Sequence, residues 1–235
     1  MSSPGSASSA QDIEYVILLH GIGHVSLNML YAEKVLKKQG LETLNLTYPS
    51  LRQDISSLAD WLSDRLIEQD IWQRAHRVHF VAHSMGGLVT GAYLERYKDH
   101  IPAEKMGRVV MLGTPHGGSE VADFLQDNPL YQWVFGPAGQ ELTTERRKQA
   151  QVAPWYDLGM IAGTTESVLT LGKLFINPIP HDGCVSVEST KIEGMKDHIT
   201  IPVMHSFMAW TPDVHAQILE FIQRGMFQHA TEDEA

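Results

Sequence analysis

The sequence predicts an α/β fold: a mostly parallel central sheet with helices on both faces and a short cap insertion. Three observations predict it. Short apolar runs alternate with amphipathic stretches along the chain. Several of those runs end directly in turns rich in glycine and other small residues. The chain has 235 residues, 43% hydrophobic and 20% charged, which supports one buried core and excludes disorder along its whole length. The expected division is a disordered tail over 1–11, a single domain over 12–228 and an acidic tail over 229–235.

The elements follow in order. Glu14 to Leu19 (EYVILL) reads as a buried strand that runs into His20-Gly21-Ile22-Gly23. A helix is expected over Leu27 to Gln39, closed by Gly40, and a second strand includes Leu44 to Thr47. After Asp54, Ile55, Leu58, Ala59, Leu62, Leu66 and Ile67 recur at helical spacing. The strand Arg77 to Ala82 leads into His83-Ser84-Met85-Gly86-Gly87, and a helix continues through Leu88, Ala92 and Tyr93. Arg108 to Leu112, Leu158 to Ala162 and Ile199 to Met204 complete the strands. The last helix starts near Pro212 with Thr211 as its N-cap. Residues 119–154 break this rhythm and form the expected cap. Their apolar cluster around Leu130, Trp133 and Phe135 reads equally as an acyl-binding wall, a lid or ordinary packing.

Charge and composition exclude several functions. The balance is 18 basic against 28 acidic residues, a net charge of −10, and no basic stripe is visible, so a nucleic-acid partner is not expected. The single cysteine, Cys184, excludes an intramolecular disulfide and a cysteine-rich zinc module. Nowhere do about 18 apolar residues run together, so no transmembrane segment is expected. The first residues are small and polar rather than a basic-then-apolar leader, which makes the cytoplasm the expected location. Oligomeric state has no signature in the sequence.

The chemistry concentrates around Ser84. Ala82-His83-Ser84-Met85-Gly86 matches a strand–turn–helix nucleophile elbow, with Ala82 in place of the usual first glycine. Small residues two positions either side of the serine let strand and helix backbones approach. A serine hydroxyl needs a base, and the base needs an orienting carboxylate. Of twelve histidines, His205 lies past the carboxyl end of a strand and follows the elbow in the required order. His79, His83, His198 and His215 are placed less favourably. Asp182, in an Asp-Gly turn between the last two strands, is the expected acid; Asp157 sits at the wrong strand end and Asp197 in a surface turn. The oxyanion donors are expected to be the backbone amides of Ile22 and Met85, supported by His20 and by Gly21, which permits close backbone approach. His20 and His24 are four apart but lack an HExxH pattern or clustered carboxylates, so no metal and no cofactor are expected. Gly117-Gly118 reads either as an anion-binding nest or as a tight strand exit. Cys184 lacks a paired base and reads as a packed residue rather than a reactive thiol.

These residues resemble the α/β-hydrolase superfamily, in particular its small bacterial lipase- and esterase-like members. The resemblance spans Tyr15 to about Phe227 and rests on HGIG (20–23), AHSMGG (82–87), GTPHGGS (113–119) and DGCVSVEST (182–190). It implies Ser84 as nucleophile, Asp182 as acid, His205 as base and oxyanion donors at Ile22 and Met85. The expected activity is hydrolysis of a small-molecule or lipid carboxylic ester with an apolar short- or medium-chain acyl group, through an acyl-serine intermediate. An acyltransferase with the same triad and a non-catalytic binding module on the same scaffold are the alternatives.

Overall fold

The computed structural model describes residues 13–119, 122–123, 127, 137–149, 152–166 and 179–229. Six strands form one parallel sheet: β1 (Glu14–Leu19), β2 (Glu42–Leu46), β3 (Arg77–His83), β4 (Met106–Leu112), β5 (Asp157–Gly163) and β6 (Asp197–Ile201). Their spatial order is β2-β1-β3-β4-β5-β6. The helices include α1 (Leu30–Lys38), α2 (Ile55–Glu68), the one-turn α3 (Ile71–Arg74), α4 (Met85–Arg96), α5 (Thr144–Gln149) and α6 (Pro212–Arg224).

Strand periodicity sorts the core into two layers. Tyr15, Ile17 and Leu19 of β1, with Val78, Phe80 and Ala82 of β3, pack in a cluster with α2 and α4. Val16, Leu18 and Val81 belong to the opposite cluster, with Leu36 of α1 and Val214, Ile218, Phe221 and Ile222 of α6. Successive side chains point to opposite faces, so near-continuous apolar strands require helices on both. The fold is α/β with helices on both faces, as the sequence predicts. Asp54 caps α2, its side chain accepting from the Ser57 amide at 2.7 Å.

Three local expectations are corrected. The final strand starts at Asp197 and ends at Ile201 rather than running from Ile199 to Met204, because Pro202 has no N–H for the ladder. Asp197 therefore opens β6 instead of occupying a surface turn, and it accepts from the amides of His198 and Phe227. Thr211 holds the N-cap position of α6, but its hydroxyl donates to the Phe207 carbonyl instead of capping the helix. Part of the 119–154 excursion, including Leu130, Trp133 and Phe135, lies outside the described residues, as do both tails except His229. Among the described residues no helix is long and apolar enough to cross a membrane.

The topology fixes where a site can form. The chain leaves β1 for β2 on one side and reaches β3 on the other, so β1 and β3 flank a switch point. Leu19 pairs with Ala82, and His83 with Leu112. The turns after β1, β3 and β4 therefore emerge side by side at one sheet edge.

Candidate active site

Ser84 lies between β3 and α4 with φ 54° and ψ −127°, a backbone strained for any residue but glycine. Its amide donates to the Leu112 carbonyl at 2.8 Å, and the Thr114 hydroxyl donates to its carbonyl at 3.0 Å. The small neighbours are sterically required. A Cβ on Gly86 would sit 2.6 Å from the His20 carbonyl oxygen and 2.8 Å from that of Leu19. Ala82 fits because its side chain belongs to the buried layer under α2 and α4 rather than to that contact.

His205 opens a short 3-10 turn, His205–Trp210, four residues after the corrected end of β6. Its Nε2 lies 3.0 Å from Ser84 Oγ and its Nδ1 lies 2.7 Å from Asp182 Oδ2. In the arrangement that satisfies both contacts, Ser84 Oγ–H donates to Nε2 and Nδ1–H donates to the carboxylate. Asp182 is 2% exposed, and its other oxygen accepts from the amides of Cys184 at 3.0 Å and Val185 at 2.8 Å. The His205 amide also donates to the Asp182 carbonyl at 3.0 Å. Main-chain and side-chain bonds thus tie Asp182 and His205 together independently of Ser84.

The turn after β1 lies against the elbow. A Cβ on Gly21 would lie 3.1 Å from His83 Nδ1 and 3.2 Å from the Ser84 Cβ, tighter than ordinary van der Waals contact, so any side chain here would press on the elbow. His20 is fully buried, stacked on Tyr48 with ring centroids 4.3 Å apart. Its Nδ1 contacts the Gly21 carbonyl at 2.7 Å, and its Nε2 accepts from the Tyr48 amide at 3.3 Å. A neutral ring with the proton on Nδ1 satisfies both partners, and burial pushes its pKa down to about 4. Ile22 and Met85 each lie three residues beyond the paired Leu19 and Ala82. Neither amide has a hydrogen-bond partner among the described residues, and the first amide of a helix such as Met85 has no intrahelical carbonyl to reach.

Two residues near the triad escaped the sequence reading. His83 was judged only as a candidate base; the structure buries it, and its Nε2–H donates to the His205 carbonyl at 3.0 Å. Burial and the adjacent imidazoles of His205 and His24 hold it well below the usual histidine range, so it clamps the base as a neutral donor. Gly113, with φ +57°, passes so close to the acid–base pair that a Cβ would lie 3.0 Å from both Asp182 Oδ2 and His205 Nδ1. The glycine-rich run after β4 was visible, but nothing in it announced this packing.

The remaining candidates resolve simply. The Gly117 amide donates to the Ser189 carbonyl and the Gly118 amide to that of Pro115, so the pair forms a tight strand exit rather than a nest of free donors. Burial, with the Asp182 charge, pushes the Cys184 thiol up to about 12, which leaves it protonated and poorly nucleophilic. Among the described residues no group of three or more His, Cys, Asp and Glu side chains is placed to hold a metal ion.

A sequence model of the Alpha/beta hydrolase family matches residues 16–219, nearly the whole domain. The chain belongs to the alpha/beta hydrolase family. Over 53 residues this chain is 42% identical to a triacylglycerol lipase of Pseudarthrobacter phenanthrenivorans and to another of Burkholderia plantarii. Those stretches cover 23% of this chain but span only 15% and 13% of the two lipases. Among solved structures it is similar to the mature Bacillus licheniformis lipase BlEst2, at TM-score 0.74 and 20% identity, over 95% of this chain and 96% of that one. A metagenomic carboxyl esterase, MGS0156, is similar at TM-score 0.66 and 16% identity, over 87% of this chain and 68% of the esterase. At these identities the structural likeness establishes the fold.

Proposed function

We propose that this hydrolase cleaves carboxylic esters through an acyl-serine intermediate, with Ser84 as nucleophile, His205 as general base and Asp182 as its orienting acid. The observation that carries the reading is the position of His205, whose two ring nitrogens lie 3.0 Å from Ser84 Oγ and 2.7 Å from Asp182 Oδ2. The lipase and esterase names among the related proteins point to the same substrate class. An apolar acyl group of short or medium length remains the expected acyl partner.

The geometry lends itself to two-step acyl transfer to water. Ser84 Oγ attacks the ester carbonyl while His205 Nε2 takes its proton. The Ile22 and Met85 amides are the donors proposed for the resulting oxyanion; one such donor is typically worth about 3 kcal/mol. Collapse breaks the bond to the alcohol, which leaves with the proton from His205. Water then repeats the sequence on the acyl-enzyme. Asp182, buried and held by two amides, keeps the imidazole in the required tautomer and stabilises its charged form.

A fluorophosphonate probe tests this directly. Wild-type protein should be labelled and should hydrolyse an ester panel. Ser84→Ala should take no label and lose on the order of 10⁶ in kcat while remaining folded. Labelling of the Ser84→Ala protein, or equal turnover by both, would sink the assignment. Thioester and amide substrates alongside the esters, with alcohols competing against water, define the acceptor and bond specificity.

A further inference from the structure

A groove of about 430 Å³ opens beside the base, between the turn after β1 and the 3-10 turn His205–Trp210. It begins at Gly23, next to the proposed oxyanion donor Ile22, and at Ser206, next to His205. We propose that this groove receives the alcohol arm of an uncharged ester and that its apolar walls select that arm by bulk. The proposal rests on the ester-hydrolase reading and specifies which side of the ester governs selection.

The walls are large and apolar yet face solvent. Val25, Leu27, Phe207 and Trp210 are 51%, 66%, 52% and 45% exposed. Four such side chains gathered at one mouth form a patch rather than the scattered apolar residues of an ordinary surface. Tyr31 extends it, its ring centroid 5.0 Å from that of Trp210. None of the described lining residues carries a formal charge, so a charged arm would lose hydration there without a compensating partner.

Three polar residues, His24, Asn28 and Ser206, lie among these walls. His24 is held below the ordinary histidine range, chiefly by burial and also by His205, and so offers a neutral ring. Asn28 lines the groove with its side-chain Oδ1 buried and lacking a hydrogen-bond partner among the described residues. That atom is enclosed in the protein rather than open to the groove. The uncharged, largely apolar lining therefore suits an apolar or aromatic alcohol rather than a charged headgroup.

The assignment to the alcohol arm follows from proton bookkeeping. In acylation the Ser84 Oγ–carbon bond forms and the carbon–oxygen bond to the alcohol breaks. The proton lost by Ser84 passes through His205 Nε2 to that departing oxygen. The leaving oxygen must therefore come within hydrogen-bond reach of Nε2, while the acyl carbon stays on Ser84. His205 opens the 3-10 turn whose later residues Ser206, Phe207 and Trp210 line the groove, so we assign the substituent on the leaving oxygen to those walls.

The test compares two ester series in wild type, Trp210→Ala and Leu27→Ser. One series holds acetate and varies the alcohol from methanol through butanol to 2-naphthylmethanol. The other holds methanol and lengthens the acyl group from acetate to octanoate. Wild type should favour the naphthylmethyl ester by kcat/KM. Each variant should reduce the naphthylmethyl-to-methyl ratio by about tenfold while the acyl series keeps its wild-type profile. Calorimetry on the Ser84→Ala protein should find saturable binding of 2-naphthylmethanol, weakened by a further Trp210→Ala change. A shift confined to the acyl series, equal loss on all substrates, no binding of the alcohol, or loss only of binding to phosphatidylcholine vesicles would each overturn the groove's role. Absence of fluorophosphonate labelling at Ser84 would overturn the hydrolase reading and this inference together; labelling with unchanged alcohol selectivity would overturn this inference alone.

Discussion

The elbow and the acid–base limb bring their side chains to the same point by different physical means. The elbow is local: strand, strained serine and helix occupy one short run of sequence, and backbone sterics position the hydroxyl. The limb is assembled at a distance. Asp182 and His205 are 23 residues apart, separated by β6, and hydrogen bonds rather than steric closure hold them to one another. The elbow should therefore fail by unfolding or misplacement when bulk is added. The limb should fail chemically, with the fold intact, when a hydrogen bond is altered.

Asp182→Asn offers the largest separation of the two. The amide preserves volume, but it removes the charge and favours the wrong histidine tautomer. We expect kcat to fall by on the order of 10⁴ with little change in thermal unfolding. Parallel loss of stability and activity would mean that the limb, too, is mainly a structural device. Gly113→Ala comes next. Its methyl would press on Asp182 Oδ2 and His205 Nδ1 from a backbone at φ +57°, and a displacement of about 1 Å is expected to cost roughly 10²-fold in kcat/KM.

Gly86→Ala probes the elbow itself. The added methyl meets backbone carbonyls, which cannot rotate aside as a side chain would, and we expect a loss of about 1–3 kcal/mol by urea denaturation. A stability equal to wild type would mean that strand and helix can separate without penalty.

A pH slope is the remaining test. His20 and His116 have native pKa values depressed by burial from 6.5 to about 4 and about 3. Above pH 6.5 both are neutral folded or unfolded, and neither contributes to a pH dependence. As pH falls below 6.5 the unfolded chain binds the protons first, so stability is lost at about 1.4 kcal/mol per pH unit for each group down toward its native pKa. Denaturation between pH 7 and pH 4.5 should reveal this slope, and His20→Gln should reduce it by about one proton. An unchanged slope would mean that His20 takes up its proton inside the fold.

Much of this architecture was legible in the sequence because it depends on short-range rules. β1, α2 and the elbow follow from apolar runs, helical spacing and small residues around Ser84. Asp182 and His205 could be chosen over Asp157, Asp197, His79 and His198 because strand polarity places a site beyond the carboxyl ends. Even the misplaced end of β6 left His205 on the correct side of the sheet. The clamp by His83 and the steric need for glycine at position 113 had no such signal. One side chain faces a carbonyl 122 residues away, and the other glycine borders two residues far along the chain.

The sequence by itself determined the sheet-forming runs, the two apolar faces and the strained turn that exposes one serine, since each depends on neighbours a few residues apart. Tertiary structure alone decided at what distances that serine, its imidazole and the carboxylate behind it stand, which groups pack against them, and which apolar side chains remain uncovered beside them. Those outcomes depend on strand register and on crossovers that bring distant segments together, and local residue patterns do not encode that spatial arrangement.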